Sequence, residues 1–82
     1  MHYVYILKSE KDNRLYIGYS SDLKNRIKDH NEGLVGATKH RRPLELIYYE
    51  AYNDKKLARE REIQLKKFGS SYQGLIKRLK LK

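Results

Sequence analysis

Apolar and aromatic residues crowd into two short early segments, Tyr3-Val4-Tyr5-Ile6-Leu7-Lys8 and Arg14-Leu15-Tyr16-Ile17-Gly18-Tyr19, separated by the polar run Ser9 to Asn13. β-Branched and aromatic types on both sides of turn formers predict a β-hairpin over 3–8 and 14–19. Directly opposed residues of an antiparallel pair share a face. An even connection, such as four residues, therefore puts Tyr5 and Tyr16 on one side of the sheet, and an odd one separates them. Ser20, Ser21 and Asp22 then offer helix N-caps and Gly33 a stop, while Leu23, Ile27, His30 and Leu34 recur at the spacing of one helical stripe. His30 falls within that stripe and Arg26 at its edge, with Lys24, Asn25, Lys28, Asp29 and Glu32 on the opposite side.

Val35 to Arg42 reads as a loop, closing on the basic run Lys39-His40-Arg41-Arg42 before Pro43. Leu44 to Tyr52 is nearly continuously apolar and aromatic, interrupted by Glu45 and Glu50, as expected for a central strand covered on both faces. Asn53 or Asp54 can cap a second helix that runs to about Phe68 and ends at Gly69, with Leu57, Ala58, Leu65 and Phe68 facing inward. Glu62 lies one turn after Ala58, at the border of that stripe. Arg61 falls inside it, so either its stem packs there and its guanidinium snorkels outward, which is the preferred reading, or it reaches towards a phosphate groove. A last helix from Ser70 or Ser71 buries Tyr72, Leu75, Ile76 and Leu79 and leaves Lys77, Arg78, Lys80 and Lys82 as a basic end. The expected fold is α+β in the order β-β-α-β-α-α, a three-stranded antiparallel sheet flanked by helices, as one domain over residues 1–82.

Charge narrows the functional classes. The net charge is +9, from 19 Lys plus Arg against 10 Asp plus Glu, and so large an excess on 82 residues calls for a polyanionic partner. A membrane surface is disfavoured, because Trp is absent and no basic segment carries a broad apolar face. Nucleic acid is the leading partner. Without cysteine there is neither a disulfide frame nor a thiolate zinc site, so any metal must bind through oxygen or imidazole. No apolar run has membrane-spanning length and the first residues lack the form of a secretion signal, so a soluble, cytoplasmic protein is expected.

Taken one at a time, the polar residues on these elements have ordinary explanations. His30 alone would be a satisfied core histidine, and Tyr5 and Tyr16 cross-strand packing. Arg26 with Asp22 or Asp29, and Glu62 with Arg59 or Lys66, would be exposed helix pairs worth about 0.2–0.5 kcal/mol each. Their order changes that balance. Tyr3-Val4-Tyr5, Tyr16-Ile17-Gly18, Leu23-x-x-Arg26-x-x-x-His30 and Ala58-x-x-x-Glu62 together resemble the GIY-YIG nuclease superfamily over nearly the whole chain. Within it the chain is similar to small stand-alone bacterial proteins with the segment Arg-Glu-x-Gln-Leu-Lys, here Arg61 to Lys66. Two features depart from the pattern. Tyr3 stands where the name-giving motif has glycine, which could narrow or redirect the substrate groove, and the late asparagine of repair-type members has no clear counterpart.

The resemblance implies hydrolysis of phosphodiester bonds in DNA, with branched, damaged or single-stranded forms among the candidate substrates, with one Mg²⁺ or Mn²⁺ and with DNA repair as a setting. It assigns the site to Tyr5, Tyr16, Arg26, His30 and Glu62. Glu62 would be the protein's single ligand to a largely hydrated cation, and Arg26 would grip the scissile phosphate. Tyr5 and Tyr16 would orient or deprotonate the attacking water, with the choice between them open; a free phenol has a pKa near 10 and needs help from Arg26, a lysine or the metal. His30 could accept that proton, donate to the leaving oxygen or position a tyrosine hydroxyl. Lys39, His40, Arg41, Arg42, Lys66 and Lys77 are the expected nucleic-acid contacts, with DNA the first partner, RNA the second, and a partner protein as a source of selectivity. The competing class is a non-catalytic nucleic-acid-binding module, RNA- or ribosome-associated, against which stands the presence of all five polar site residues.

Overall fold

The computed structural model describes residues 1–80, so Lys82 of the expected basic end lies outside the described residues. β1 (His2–Ser9) and β2 (Leu15–Ser20) form the hairpin, joined through Glu10 to Asn13 by bonds from the Ser9 N–H to the Arg14 carbonyl and from the Asn13 N–H to the Ser9 carbonyl, each 2.9 Å. Ser9 thus stands opposite Arg14, with an even number of residues between them. Leu7 accordingly faces Tyr16 and Tyr5 faces Gly18, placing both motif tyrosines on one side of the sheet. α1 (Leu23–Asn31) follows, then a 3₁₀ turn (Lys39–Arg41) inside the expected loop, β3 (Leu44–Tyr52), α2 (Lys55–Lys66) and α3 (Ser70–Arg78). The α+β class and the order β-β-α-β-α-α are as the sequence predicts. Among the described residues no helix is long and apolar enough to cross a membrane.

The strand order is β2-β1-β3, so the central strand is β1 and β3 is an edge. This corrects the expectation for Leu44–Tyr52. Its apolar run comes from tyrosines rather than from burial on two faces, and Tyr49 is 52% exposed. Val4, Tyr5, Ile6 and Leu7 of β1 are the residues buried between two layers. On one face Val4, Ile6 and Ile17 pack against Ala58 and Leu65 of α2 and Tyr72, Leu75 and Ile76 of α3. On the other, Tyr5, Leu7 and Leu44 meet Tyr16, Leu46 and the α1 residues Leu23 and Ile27. A register shift between Ile6 and Leu7 pairs Ile6 with Tyr48 but Leu7 with Leu46. The extra residue reverses the alternation, so that Ile47 and Tyr48 serve the α2–α3 core while Leu44 and Leu46 serve the α1 core.

Three helix-stripe residues lie outside their expected places. α1 ends at Asn31 and Gly33 turns left-handed at φ 79°, which throws Leu34 out to 69% exposure. In α2 the inward residues are Ala58, Glu62 and Leu65, while Leu57 and Phe68 are 49% and 56% exposed. Phe68, not Gly69, takes the left-handed turn that ends α2, and Gly69 becomes the N-cap of α3. Leu79 is partly buried against the core it was expected to complete.

Arg61 follows neither expected course. Its fork binds Glu50 of β3 through Nε to Oε1 at 2.9 Å and Nη2 to Oε2 at 3.0 Å, while Tyr48 and Tyr52 donate to the same carboxylate at 2.5 Å each. Burial alone would raise the Glu50 pKa, but these bonds hold it below the usual carboxylate value. The pair fixes α2 against β3 one residue before Glu62. Arg61→Met should therefore lower stability by about 2 kcal/mol, the scale of a charged hydrogen-bonded pair left half-made, and the melting temperature by roughly 10 °C. Thermal unfolding checks this, and an unchanged melting temperature would remove Arg61 from the account.

Candidate active site

Tyr5 and Gly18 face each other across the hairpin, and the Tyr5 ring lies over the glycine. A Cβ built at Gly18 would stand 2.4 Å from both Cζ and the hydroxyl oxygen of Tyr5, closer than any side chain tolerates. The motif glycine thus makes room for the motif tyrosine. So laid, the Tyr5 hydroxyl reaches Nε2 of His30 at 2.8 Å, with both residues essentially inaccessible. α1 delivers His30 from its last turn after starting at Asp22, whose carboxylate accepts from the Asn25 N–H. On the far side of the imidazole, Nδ1 lies 2.7 Å from Thr38 Oγ1. Asn31 locks the helix end to β3, donating to the Leu44 carbonyl at 3.0 Å and accepting from its N–H at 2.8 Å.

Arg26 lies one turn before His30 on α1, and its positive charge favours the ionised form of Tyr5 while opposing that of His30. Where Tyr5 donates its proton to Nε2, the single proton of the neutral ring sits on Nδ1 and is donated to Thr38. Burial pushes the Tyr5 phenol up to about 12, with Tyr16 and Glu62 acting in the same direction and Arg26 against it. Burial likewise pushes His30 down to about 4, helped by the charge of Arg26. The buried pair is therefore neutral at neutral pH. Tyr16 completes the cluster, its ring 5.1 Å from that of His30 and 6.5 Å from that of Tyr5.

Glu62 approaches from α2, on the other side of the sheet, and acts on the Tyr5 hydroxyl through its charge. It is not half of an ordinary exposed pair, since only 12% of its side chain is accessible while Lys66 sits 2.9 Å from Oε2 and Arg59 3.6 Å from Oε1. Among the described residues Arg26 enters no ion pair, which leaves its charge available to an anion. The sequence model of the GIY-YIG catalytic domain matches residues 1–75 of the chain. The chain belongs to the GIY-YIG catalytic-domain family.

Relatives of the same small type support that membership. The chain is 48% identical over 69 residues to UPF0213 protein SSP2268 of Staphylococcus saprophyticus, spanning 82% of each. It is 47% identical over 68 residues to UPF0213 protein YazA of Bacillus subtilis, covering 80% of this chain and 67% of that one. The solution structure of UPF0213 protein BH0048 from Bacillus halodurans superposes with a TM-score of 0.59 at 34% identity, over 96% of this chain and 84% of that one.

The basic residues expected to touch nucleic acid divide by role in this GIY-YIG domain. Arg41 braces the hairpin, pairing with Asp12 at 3.3 Å and donating to the Leu15 carbonyl at 3.5 Å, and Arg42 donates from Nε to the Lys39 carbonyl at 2.9 Å. Lys39, His40 and Lys77 are exposed, and Lys66 is bound to Glu62. Tyr3, at the motif's first glycine position, packs edge-on to Tyr49 at 6.0 Å and lines an open groove of about 460 Å³ with Leu23, Ile27 and Leu46. None of the five site residues lines that groove.

Sequence reasoning did not find Thr38. A threonine in a loop carries no local signal of a partner eight residues earlier, and only the fold reveals it. Gly18→Ala tests the packing that seats Tyr5. The rigid ring has to move, so stability should fall by about 1–3 kcal/mol and the Tyr5 hydroxyl should leave His30. Denaturant unfolding together with the Tyr5 and His30 ring NMR shifts reads both effects, and a variant with native stability and shifts would refute the close fit.

Proposed function

We propose that this chain is a divalent-metal-dependent endonuclease that hydrolyses phosphodiester bonds in DNA. The observation that carries the reading is the buried Tyr5–His30 hydrogen bond with an unpaired arginine beside it. A neutral phenol and imidazole behind a free guanidinium suit an anionic substrate that must be gripped, turned and attacked by water. A structural pair in the core would have no use for that guanidinium.

Arg26, with its planar fork and permanent charge, binds the non-bridging oxygens of the phosphate and holds phosphorus in front of Tyr5 and Tyr16. Tyr5 is 1% exposed in the free protein, so binding of nucleic acid has to open its oxygen to the attacking water, which then donates to it while Tyr5 donates to Nε2. As the water oxygen bonds to phosphorus and the ester P–O bond breaks, one water proton passes to the Tyr5 oxygen and the Tyr5 proton passes to His30, so the phenol ends neutral and the imidazole gains the charge, while the leaving oxygen departs with the bonding pair and takes its proton from solvent. That charge has a reason to be tolerated in the complex. The charge of Arg26 is one cause of the low His30 pKa, and a phosphate on Arg26 offsets it, making His30 a better proton acceptor when substrate is bound. Thr38 holds the ring in the orientation the transfer needs.

The donor set fits a hard cation. Among the described residues no group of three or more His, Cys, Asp or Glu side chains could hold an ion, so the protein's share of the coordination would be the Glu62 carboxylate, with water and phosphate oxygens filling the rest. Mg²⁺ and Mn²⁺ accept such a site, and when bound the ion supplies Lewis-acid polarisation of the phosphate and charge compensation for the leaving oxygen. DNA is the first substrate, with RNA the alternative; the exposed Lys39, His40 and Lys77 add backbone contacts without base readout. Selectivity then comes from a partner protein or from the shape of the nucleic acid, and repair is the setting in which such an activity is used.

The test is incubation of purified protein with supercoiled and branched DNA in Mg²⁺ or Mn²⁺. Wild type should cut, and Glu62→Ala and Arg26→Ala should each cut at least about 100-fold more slowly, the scale of losing one charge-stabilising group. If wild type binds DNA and RNA but cuts neither, the domain is a binding module.

A further inference from the structure

Glu62 is held between two cations of its own helix. Arg59, one turn earlier, stands 3.6 Å from Oε1 and is committed elsewhere, its guanidinium lying 5.1 Å over the Tyr19 ring. Lys66, one turn later, presses closer at 2.9 Å from Oε2, with 48% of its side chain exposed against 12% of the carboxylate's. The closest approach to the Glu62 carboxylate is therefore taken by an ammonium group, on a side chain that is itself about half exposed. A Mg²⁺-like ion must come to about 2.0–2.1 Å of a carboxylate oxygen, and two cations cannot share that lone-pair region without strong repulsion.

We propose that Lys66 is the resident counter-ion of Glu62, that a divalent cation binds by displacing it, and that the released ammonium turns to a phosphate of the nucleic acid. This rests on the reading of Glu62 as the metal ligand. Lys66 is then a positioning residue. In the free protein it keeps the buried carboxylate neutralised and in place, and it holds metal affinity down until a polyanion is present to receive the displaced charge. Arg59 does not exchange in this way, because its longer contact and its seat on Tyr19 let it stay where it is. The flexible lysine stem suits the exchange, since an ammonium on four methylenes can swing between carboxylate and phosphate without moving the helix.

The experiment measures Mn²⁺ binding to the full chain without nucleic acid, by calorimetry or by the loss of the free-ion paramagnetic resonance signal. Lys66→Met should bind Mn²⁺ roughly fivefold or more tighter than wild type, the lower end of ordinary site-to-site coupling. Lys67→Met, which removes the same charge from the exposed neighbouring position, should stay within about twofold because that charge is screened by solvent. Lys66→Arg, which keeps a cation there, should stay near wild type. Matching thermal unfolding curves establish that the variants are folded, as expected for an exposed pairing partner. Equal affinities for Lys66→Met and Lys67→Met would overturn the counter-ion role. Glu62→Gln separates the two levels: if Mn²⁺ binding needs Glu62 but is indifferent to Lys66, this inference alone fails, whereas undiminished binding by Glu62→Gln removes the metal reading with it.

Discussion

The Tyr5 ring can lie flat across β2 only because its partner in the hairpin has no side chain, and that single steric allowance organises the site. With the ring over Gly18, the hydroxyl is delivered to His30 Nε2 at 2.8 Å. The imidazole in turn needs α1 to end beside β3 and needs Thr38 behind it. Tyr5, His30, Thr38 and Gly18 are all buried, so their contacts are not free to be approximate. Hairpin register, helix placement and loop course are thereby tied to one hydrogen bond.

The sheet divides the protein into two cores, and the candidate site residues are drawn from both. α1 brings Arg26 and His30 to the face of Tyr5 and Tyr16, whereas α2 packs on the opposite face and offers Glu62 from there. What ties α2 to β3 is the half-buried carboxylate of Glu50, gripped by Arg61 one residue before Glu62. The electrostatic plan follows the same division. Neutral Tyr5 and His30 sit deepest, where a charge would be expensive, while Glu62 keeps its charge against Lys66 and Arg26 is only partly buried.

Much of this was legible in the residues. The even connection between the hairpin strands put Tyr5 and Tyr16 on one face, and the stripe containing His30 with Arg26 at its edge put both on the sheet-facing side of α1. The errors have physical causes. Leu34, Leu57 and Phe68 were assigned inward by periodicity alone, but a left-handed Gly33 ended one stripe early, and a small sheet leaves α2 room to bury little beyond Ala58, Glu62 and Leu65. The tyrosines of β3 imitated the pattern of a central strand while closing a polar network around Glu50, which looked like an interruption in the sequence and is instead its anchor. Thr38 and the grip of Arg61 on Glu50 depend on contacts distant in sequence, and no local spacing announces them.

Nitrogen-15 chemical shifts of the His30 ring, followed as a function of pH, examine the central pair most directly. A neutral imidazole that accepts from Tyr5 at Nε2 and carries its proton on Nδ1, with protonation deferred to about pH 4, is the expected result. A ring that titrates near the ordinary histidine value of about 6.5, or that carries its neutral-state proton on Nε2, would mean that Tyr5 and His30 are not joined as described.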